Sequence, residues 1–158
     1  MKMKIILIII VLIILITIIF FASTKKESSI KDIQNFHFSY TTGNYMNAYV
    51  IYDLNHENNK YIVTIKPNNI DNEQAKKIEV DKNTVKKITK TLNKYNVEKW
   101  NNFNKSDKHV LDGNSFSLSL KTKNCKVSAN GYMKWPKNYT EVKQELDKIF
   151  DKIYKQKN

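Results

Sequence analysis

The stretch that decides the fold is residues 115–120, which reads SFSLSL. Phe116, Leu118 and Leu120 alternate with serines, and this period of two is typical of a strand with one buried face and one solvent-facing side. Residues 125–129 (CKVSA) follow after a short polar turn and predict the hairpin partner of that strand. The two segments together predict an antiparallel sheet as the basis of the domain.

The same alternation recurs towards the N-terminus. It predicts strands over residues 36–40, 45–54 and 61–65, joined by polar turns of which the second, residues 55–60, reads NHENNK. Ile78 and Val80 mark a short fourth strand over residues 75–80. We therefore expect an antiparallel meander ahead of the SFSLSL hairpin.

Two segments change from a period of two to helical spacing. Asp81 is the predicted N-cap of the first helix, and its apolar face is formed by Val85, Ile88, Leu92 and Tyr95. Lysines occupy the rest of this helix. We favour an ordinary amphipathic helix packed on a sheet, and the alternative is a basic helix that binds a membrane or nucleic acid. Asn138 is the predicted N-cap of the second helix, with Glu141 completing a capping box. The apolar face of that helix comprises Val142, Leu146, Ile149, Phe150 and Ile153.

The order of these elements predicts an α+β fold, in which an antiparallel sheet of about five or six strands carries two helices on one face. One domain, residues 34–158, accounts for all of them. Residues 97–112 are irregular but contain Trp100 and Phe103, so we expect this loop to be tucked against the core at one end of the sheet.

A hydrophobic segment precedes the domain. It begins at Ile5, ends at Ala22 and contains Thr17 as its only polar side chain. As a helix it would be about 27 Å long, close to the hydrocarbon thickness of a bilayer. We predict an uncleaved membrane anchor (residues 1–24), a linker (residues 25–33) and a single-pass cell-membrane protein whose domain lies outside the cytoplasm. A cleaved signal peptide is the alternative, but Phe20 and Phe21 crowd its cleavage positions.

The formal net charge is +12, from 27 basic and 15 acidic residues, and every basic residue is lysine. Arginine provides the planar fork that reads guanine and grips phosphate, whereas lysine is a hydrated point charge. We therefore expect no specific nucleic-acid partner. A solvated surface near a membrane explains the charge most simply. The partners that the charge still allows are a protein and an anionic envelope polymer.

The sequence contains no recognisable metal or cofactor motif. His37, His56 and His109 are far apart and lack a paired ligand at helical or strand spacing. Residues 53–64 begin like a calcium loop, but the sixth position is Asn58 where glycine is needed and the twelfth is Thr64 where glutamate is needed. We predict no cofactor. The single cysteine, Cys125, excludes an intramolecular disulfide, and we expect it to be a small buried residue of a strand.

The sequence has no nucleophile elbow and no glycine-rich phosphate loop. Its three glycines leave little room for either motif. A hydrolase site could still be assembled in three dimensions from separate acids. The observation that would favour it is a shared concave site for Asp107, His109 and Asp112.

Four short motifs follow one another along the chain: residues 100–103 (WNNF), 111–113 (LDG), 131–132 (GY) and 136–139 (PKNY). They resemble an uncharacterised family of secreted or membrane-anchored bacterial domains with the pattern W-N-x-F … L-D-G … G-Y … P-x-N-Y, over residues 36–155. The resemblance implies one recurring structural unit and brings no activity or catalytic residue with it.

We expect a functional surface where the loop around Trp100 meets the other motifs, and Asp112 to bond to the backbone of its own turn. The candidate binding surface is Trp100, Phe103, Asp112, Tyr132, Trp135 and Tyr139. The leading hypothesis is a membrane-anchored envelope domain that binds a ligand or protein partner without catalysis. The alternatives are a small envelope hydrolase and a structural or immunity-type protein.

Overall fold

The computed structural model describes residues 30–41, 49–67 and 75–156. Seven strands form one sheet in the order β4-β3-β2-β1-β6-β7-β5. Two α-helices complete the α+β fold: α1 (Lys82–Lys94) and α2 (Tyr139–Lys155), with a 3₁₀ helix at Val97–Trp100. The strands are β1 (Ile33–Thr41), β2 (Tyr49–Glu57), β3 (Lys60–Lys66), β4 (Lys76–Val80), β5 (Phe103–Ser106), β6 (Ser115–Thr122) and β7 (Lys126–Tyr132).

The prediction of a purely antiparallel sheet of five or six strands was wrong in one element. The short strand β5 joins the edge of the sheet beside β7 and runs parallel to it, with Phe103 opposite Ala129. Its sequence, FNKS, has one apolar residue and too little alternation to indicate a strand. β5 is a strand because it pairs with β7, and this pairing forms only when the rest of the sheet is in place.

The turn between β2 and β3 is shorter than the predicted turn over residues 55–60. Both strands continue to the pair Glu57 and Lys60, so the turn consists of Asn58 and Asn59. Both asparagines have positive φ, 49° and 64°. Two-residue hairpins need this left-handed backbone, and asparagine tolerates it better than most residues. The polar side chains of residues 55–57 mark a solvent-facing strand end, which the sequence did not distinguish from a turn.

The two predicted helix caps have different outcomes. Asp81 caps α1 as predicted, since its carboxylate accepts a hydrogen bond from the Thr84 backbone N–H at 2.8 Å. That bond, together with the Thr84 hydroxyl, lowers the pKa of Asp81. Asn138 occupies the N-cap position of α2, but its φ of 62° is left-handed and its side chain makes no capping hydrogen bond. The predicted capping box was wrong because a capping side chain needs an extended backbone at this position.

Alternate side chains of the strands are buried on one face, and both helices contribute to the same hydrophobic core. Phe150 of α2 stacks on Tyr52 with ring centroids 4.2 Å apart. The Tyr40 and Tyr52 hydroxyls donate to one carboxylate oxygen of Asp147, at 2.7 and 3.0 Å. Burial raises the pKa of both tyrosines far above the usual range, so they stay neutral donors. This network fixes α2 against β1 and β2. The opposite face of the sheet, the open face, carries mainly polar side chains.

The predicted anchor, from Ile5 to Ala22, lies outside the described residues, as do residues 45–48 of the predicted second strand. Among the helices of residues 30–41, 49–67 and 75–156, none has the length and apolar character needed to cross a membrane. The described chain begins at Ile30. Ile30 and Ile33, which the sequence placed in the linker, are fully buried.

Cys125 precedes β7 and is only partly buried, so its predicted position within a strand was wrong. Its backbone N–H donates to the Thr122 hydroxyl at 2.8 Å, which closes the β6–β7 turn. Burial, and secondarily the charge of Glu98, raises the pKa of the thiol. Cys125 is thus a turn residue with a protonated, weakly nucleophilic side chain at neutral pH.

Candidate functional site

An aromatic cluster closes one end of the helix-covered face. Phe116 of β6 lies at its centre, with ring centroids 4.8 Å from Tyr139, 5.7 Å from Trp135 and 6.1 Å from both Trp100 and Phe103. Gly131 faces Phe116 across the β6–β7 ladder. A Cβ at Gly131 would overlap the Phe116 ring and the Lys134 carbonyl oxygen, so only glycine leaves room for the cluster.

Most of this cluster is buried, but Trp135 reaches the surface. Its side chain is 39% exposed, and its ring stacks on that of the buried Tyr139 at 4.6 Å and 20°. Burial raises the pKa of Tyr139, with a smaller contribution from Asp147. An exposed indole held flat on a buried ring is a rigid platform for another planar or ring-shaped group.

A groove of about 360 Å³ opens beside this platform. We call it the aromatic groove, and it is lined mainly by Trp100, Phe103, Trp135, Lys99, Lys105 and Lys137. The three lysine side chains are exposed. Within the described part of the chain, no carboxylate forms an ion pair with any of them. The groove therefore combines apolar ring surface with uncompensated positive charge.

The walls of the aromatic groove are fixed by backbone geometry. The Trp100 indole N–H donates to the Lys137 carbonyl oxygen at 3.0 Å, which joins the 3₁₀ helix to the segment before α2. Asn96 and Asn138 flank these two segments in left-handed conformations, with φ of 54° and 62°. Both turns lie beside the groove, and the hydrogen bond between them holds Trp100 against the segment that carries Trp135.

The six residues of the predicted binding surface fall into two groups. Trp100, Phe103, Trp135 and Tyr139 lie together in the aromatic cluster. Tyr132 lies on the open face, and its hydroxyl donates to the Leu111 carbonyl oxygen at 2.7 Å. Asp112 is exposed, and its side chain forms no hydrogen bond with a described residue, so its expected bond to the turn backbone was wrong. The Tyr132 hydroxyl holds the turn instead.

The open face contains a second concave region, of about 500 Å³, which includes Ser39, Tyr49, Ser117, Asn130 and Tyr132. Small polar side chains predominate here. Thr41 donates to Asn114 and accepts from the Ser115 backbone N–H, so part of this polarity is used within the sheet.

Next to this region, a carboxylate, an imidazole and a hydroxyl are hydrogen-bonded in series. Asp53 Oδ1 lies 2.8 Å from His37 Nδ1, and His37 Nε2 lies 3.1 Å from Ser39 Oγ. His37 and Ser39 are two residues apart on β1, and His37 is opposite Asp53 on β2, so all three share the open face. No local sequence pattern indicates this series, because it depends on the register of β1 against β2.

The acids considered for a hydrolase do not converge. Asp107 accepts a hydrogen bond from the His109 backbone N–H and pairs with Lys134 at 3.1 Å. These contacts, the backbone hydrogen bond first, lower the pKa of Asp107. Neither Asp107, His109 nor Asp112 lines the two concave regions described above. Among the residues that the structure describes, no group of three or more His, Cys, Asp or Glu side chains could hold a metal ion.

Neither a protein-family model nor a curated protein sequence matches this chain. The motif resemblance therefore stays a prediction, and the case for a function rests on the chemistry of the site.

Proposed function

We propose that this chain is a membrane-anchored domain of the cell envelope that binds an anionic envelope polymer, without catalysis, in the aromatic groove. The observation that supports this most directly is that the exposed, stacked Trp135 lines the same groove as three lysines that form no ion pair with a described carboxylate. The anchor is the apolar segment from Ile5 to Ala22, which suits a bilayer better than water.

The chemistry of the groove fits a polymer that alternates rings or carbon chains with phosphate or carboxylate groups. An indole face stacks on such rings without selecting one sequence of units. Lysine ammonium groups neutralise anions as point charges and impose no planar geometry. Lys99, Lys105 and Lys137 come from three different segments, so together they can contact successive anionic groups along one strand of polymer.

The test is a titration of the full-length chain in detergent micelles with a polymer of sugar rings joined by phosphodiesters, followed by tryptophan fluorescence. Trp135→Ala should raise the Kd at least about fivefold, because one stacking contact is worth about 1–3 kcal/mol. Lys99→Gln combined with Lys137→Gln should weaken binding and reduce its salt dependence.

The matched control is Lys77→Gln combined with Lys121→Gln, which removes the same charge from exposed positions on the open face. Its Kd should stay within about twofold of that of the unchanged chain. Equal weakening by both pairs would mean that the polymer responds only to net charge, and the groove would lose its role. A neutral dextran should not bind, and tight binding of dextran would also contradict the proposal.

A second candidate is a small envelope hydrolase, and the series Asp53–His37–Ser39 is the observation that favours it. Here Ser39 would attack an acyl carbonyl, His37 would accept the hydroxyl proton and pass it to the leaving group, and water would release the acyl-serine. The surroundings argue against it. An oxyanion hole is often made of free backbone N–H groups. Ser39 lies in a strand that is paired on both sides, opposite Ile51 and Ser117, so the backbone around it is already used by the sheet.

This second candidate has its own test. The full-length chain is treated with a fluorophosphonate probe, and mass spectrometry compares it with Ser39→Ala. Stable labelling at Ser39 that His37→Gln abolishes would favour the hydrolase over the binding domain. Absence of labelling at Ser39, with polymer binding intact, is the result that we expect.

A further inference from the structure

One side of α1 carries a row of lysines. Lys82, Lys86, Lys90 and Lys94 recur every four residues and are all exposed. Residues four apart lie on one side of a helix, so the ammonium groups form a stripe about 18 Å long. We call this row the lysine stripe. Lys94 lies 3.6 Å from Glu145, and no carboxylate of the described residues pairs with the other three.

The chain enters the domain beside this stripe. The Ile30 backbone N–H donates to Asn93 Oδ1 at 3.2 Å, and Asn93 Nδ2 donates to the Ile30 carbonyl oxygen at 2.8 Å. Because Asn93 precedes Lys94, the first described residue is bonded to the C-terminal end of the stripe. A groove of about 740 Å³ lies between the entry point and α1, and Asp32 and Glu98 are the acids that line it.

The length of chain ahead of Ile30 limits how far the stripe can lie from a bilayer. Seven residues (23–29) lie between Ala22, the end of the apolar segment, and Ile30, which makes eight Cα–Cα steps (30 − 22 = 8). Even fully extended, they span at most about 29 Å. The entry point of the domain is therefore held close to the surface of any membrane that contains residues 5–22.

We infer that the lysine stripe docks the domain on the anionic lipid headgroups of the bilayer that contains residues 5–22. This inference rests on the proposed membrane anchor. Each lysine near an anionic surface favours contact by about fivefold, and the attraction falls off within about 8 Å at physiological ionic strength. Lys82, Lys86 and Lys90 have no carboxylate partner among the described residues, and the tether lets them come within this range of the surface. The aromatic groove, lined by other lysines, stays available.

The test measures lysine acylation in the full-length chain by mass spectrometry, in nanodiscs of phosphatidylcholine with or without phosphatidylglycerol. The anionic lipid should slow acylation of Lys82, Lys86 and Lys90 by at least about fivefold. High salt should remove this protection, because screening shortens the range of the attraction. Lys108 is the internal control. Lys108 is exposed and follows the end of β5. The start of β1, near the entry point, lies at the opposite end of the strands. The acylation rate of Lys108 should therefore be the same in both discs.

Any one of four results would overturn the inference. The stripe would not be a docking surface if its lysines reacted equally fast in both discs, or if Lys108 were slowed as much as they are. Equal protection of the stripe by soluble polyphosphate, with the chain in micelles, would assign it to polyanions in general. A chain that leaves the discs during gel filtration would overturn the anchor itself, whereas retention without protection overturns the docking alone.

Discussion

The two faces of the sheet use neighbouring residues of the same strands for different purposes. Phe38 lies opposite Tyr52, and His37, one residue earlier, lies opposite Asp53. Phe38 and Tyr52 are 0% and 3% exposed, whereas the side chains of His37 and Asp53 are 36% and 33% exposed. Adjacent positions in β1 therefore differ from fully buried to about one third exposed.

The two faces should tolerate substitution to different degrees. The helix-covered face provides the packing that holds the fold, and the aromatic groove is an extension of that packing at one end. The open face contributes hydrogen bonds that water can replace. Substitutions on the covered face should therefore reduce stability, whereas those on the open face should leave the fold intact.

The largest effect should come from the covered face. Phe38→Ala removes a fully buried ring that lies 5.5 Å from Tyr40 and 6.2 Å from Tyr139. It should lower the free energy of unfolding by about 3–5 kcal/mol, the usual cost of a large core cavity. Urea unfolding of the full-length chain in micelles, followed by tryptophan fluorescence, measures it. Ser119→Ala, on the open face opposite His37, should change stability by less than about 0.5 kcal/mol. Equal costs would contradict the division between the faces.

A smaller loss should follow from Asp147→Ala. This change leaves the Tyr40 and Tyr52 hydroxyls without their acceptor and also breaks the 2.8 Å ion pair with Lys143. Because the two hydroxyls belong to buried side chains, the cost should be about 2 kcal/mol in urea unfolding. Glu141→Gln, an exposed substitution on the same helix, is the control and should be nearly neutral. Equal stability of the two variants would show that water replaces Asp147.

Alkaline pH should weaken the same network through its tyrosines. Burial raises the pKa of Tyr40 above the value of about 10 that it has in the unfolded chain. Its contribution is complete below pH 10 and is lost as pH rises, because the unfolded state releases the proton first. At pH 11 the loss from one such tyrosine is about 1.4 kcal/mol. Tyr40→Phe should therefore lose less stability between pH 9 and pH 11 than the unchanged chain. Identical pH profiles would contradict this role.

How far the sequence predicts this structure also differs between regions. Local patterns predicted α1 with its Asp81 cap, α2, and the alternation of β6, because each depends on spacing within one segment. The number of strands was underestimated because β5 exists only through its pairing with β7. The capping box at Asn138 failed because the backbone there is left-handed, which residue type alone does not reveal.

The candidate site was predicted in the same uneven way. Trp100, Phe103, Trp135 and Tyr139 were placed together from their motifs. The rings of Trp100 and Trp135 both contact Tyr139, and Phe103 joins them through Phe116. Tyr132 was separated from them because residues 131 and 132 of β7 face opposite sides of the sheet. The lysines of the groove and the Asp53–His37–Ser39 series depend on tertiary contacts, so no local pattern indicated them.

The smallest effect should come from the open face, at the pair next to Phe38. His37→Gln and Asp53→Asn should each cost less than about 1 kcal/mol in urea unfolding at pH 7, because water can solvate either partner in the absence of the other. A double-mutant cycle should give a coupling energy of about 0.2–1 kcal/mol, the range of partly exposed pairs. The coupling between Tyr40 and Asp147 should be larger, since that tyrosine is 6% exposed. A coupling above about 2 kcal/mol between His37 and Asp53 would mean that the open face holds a desolvated network. The two faces would then no longer divide stability from function, and the case for a reactive Ser39 would become stronger.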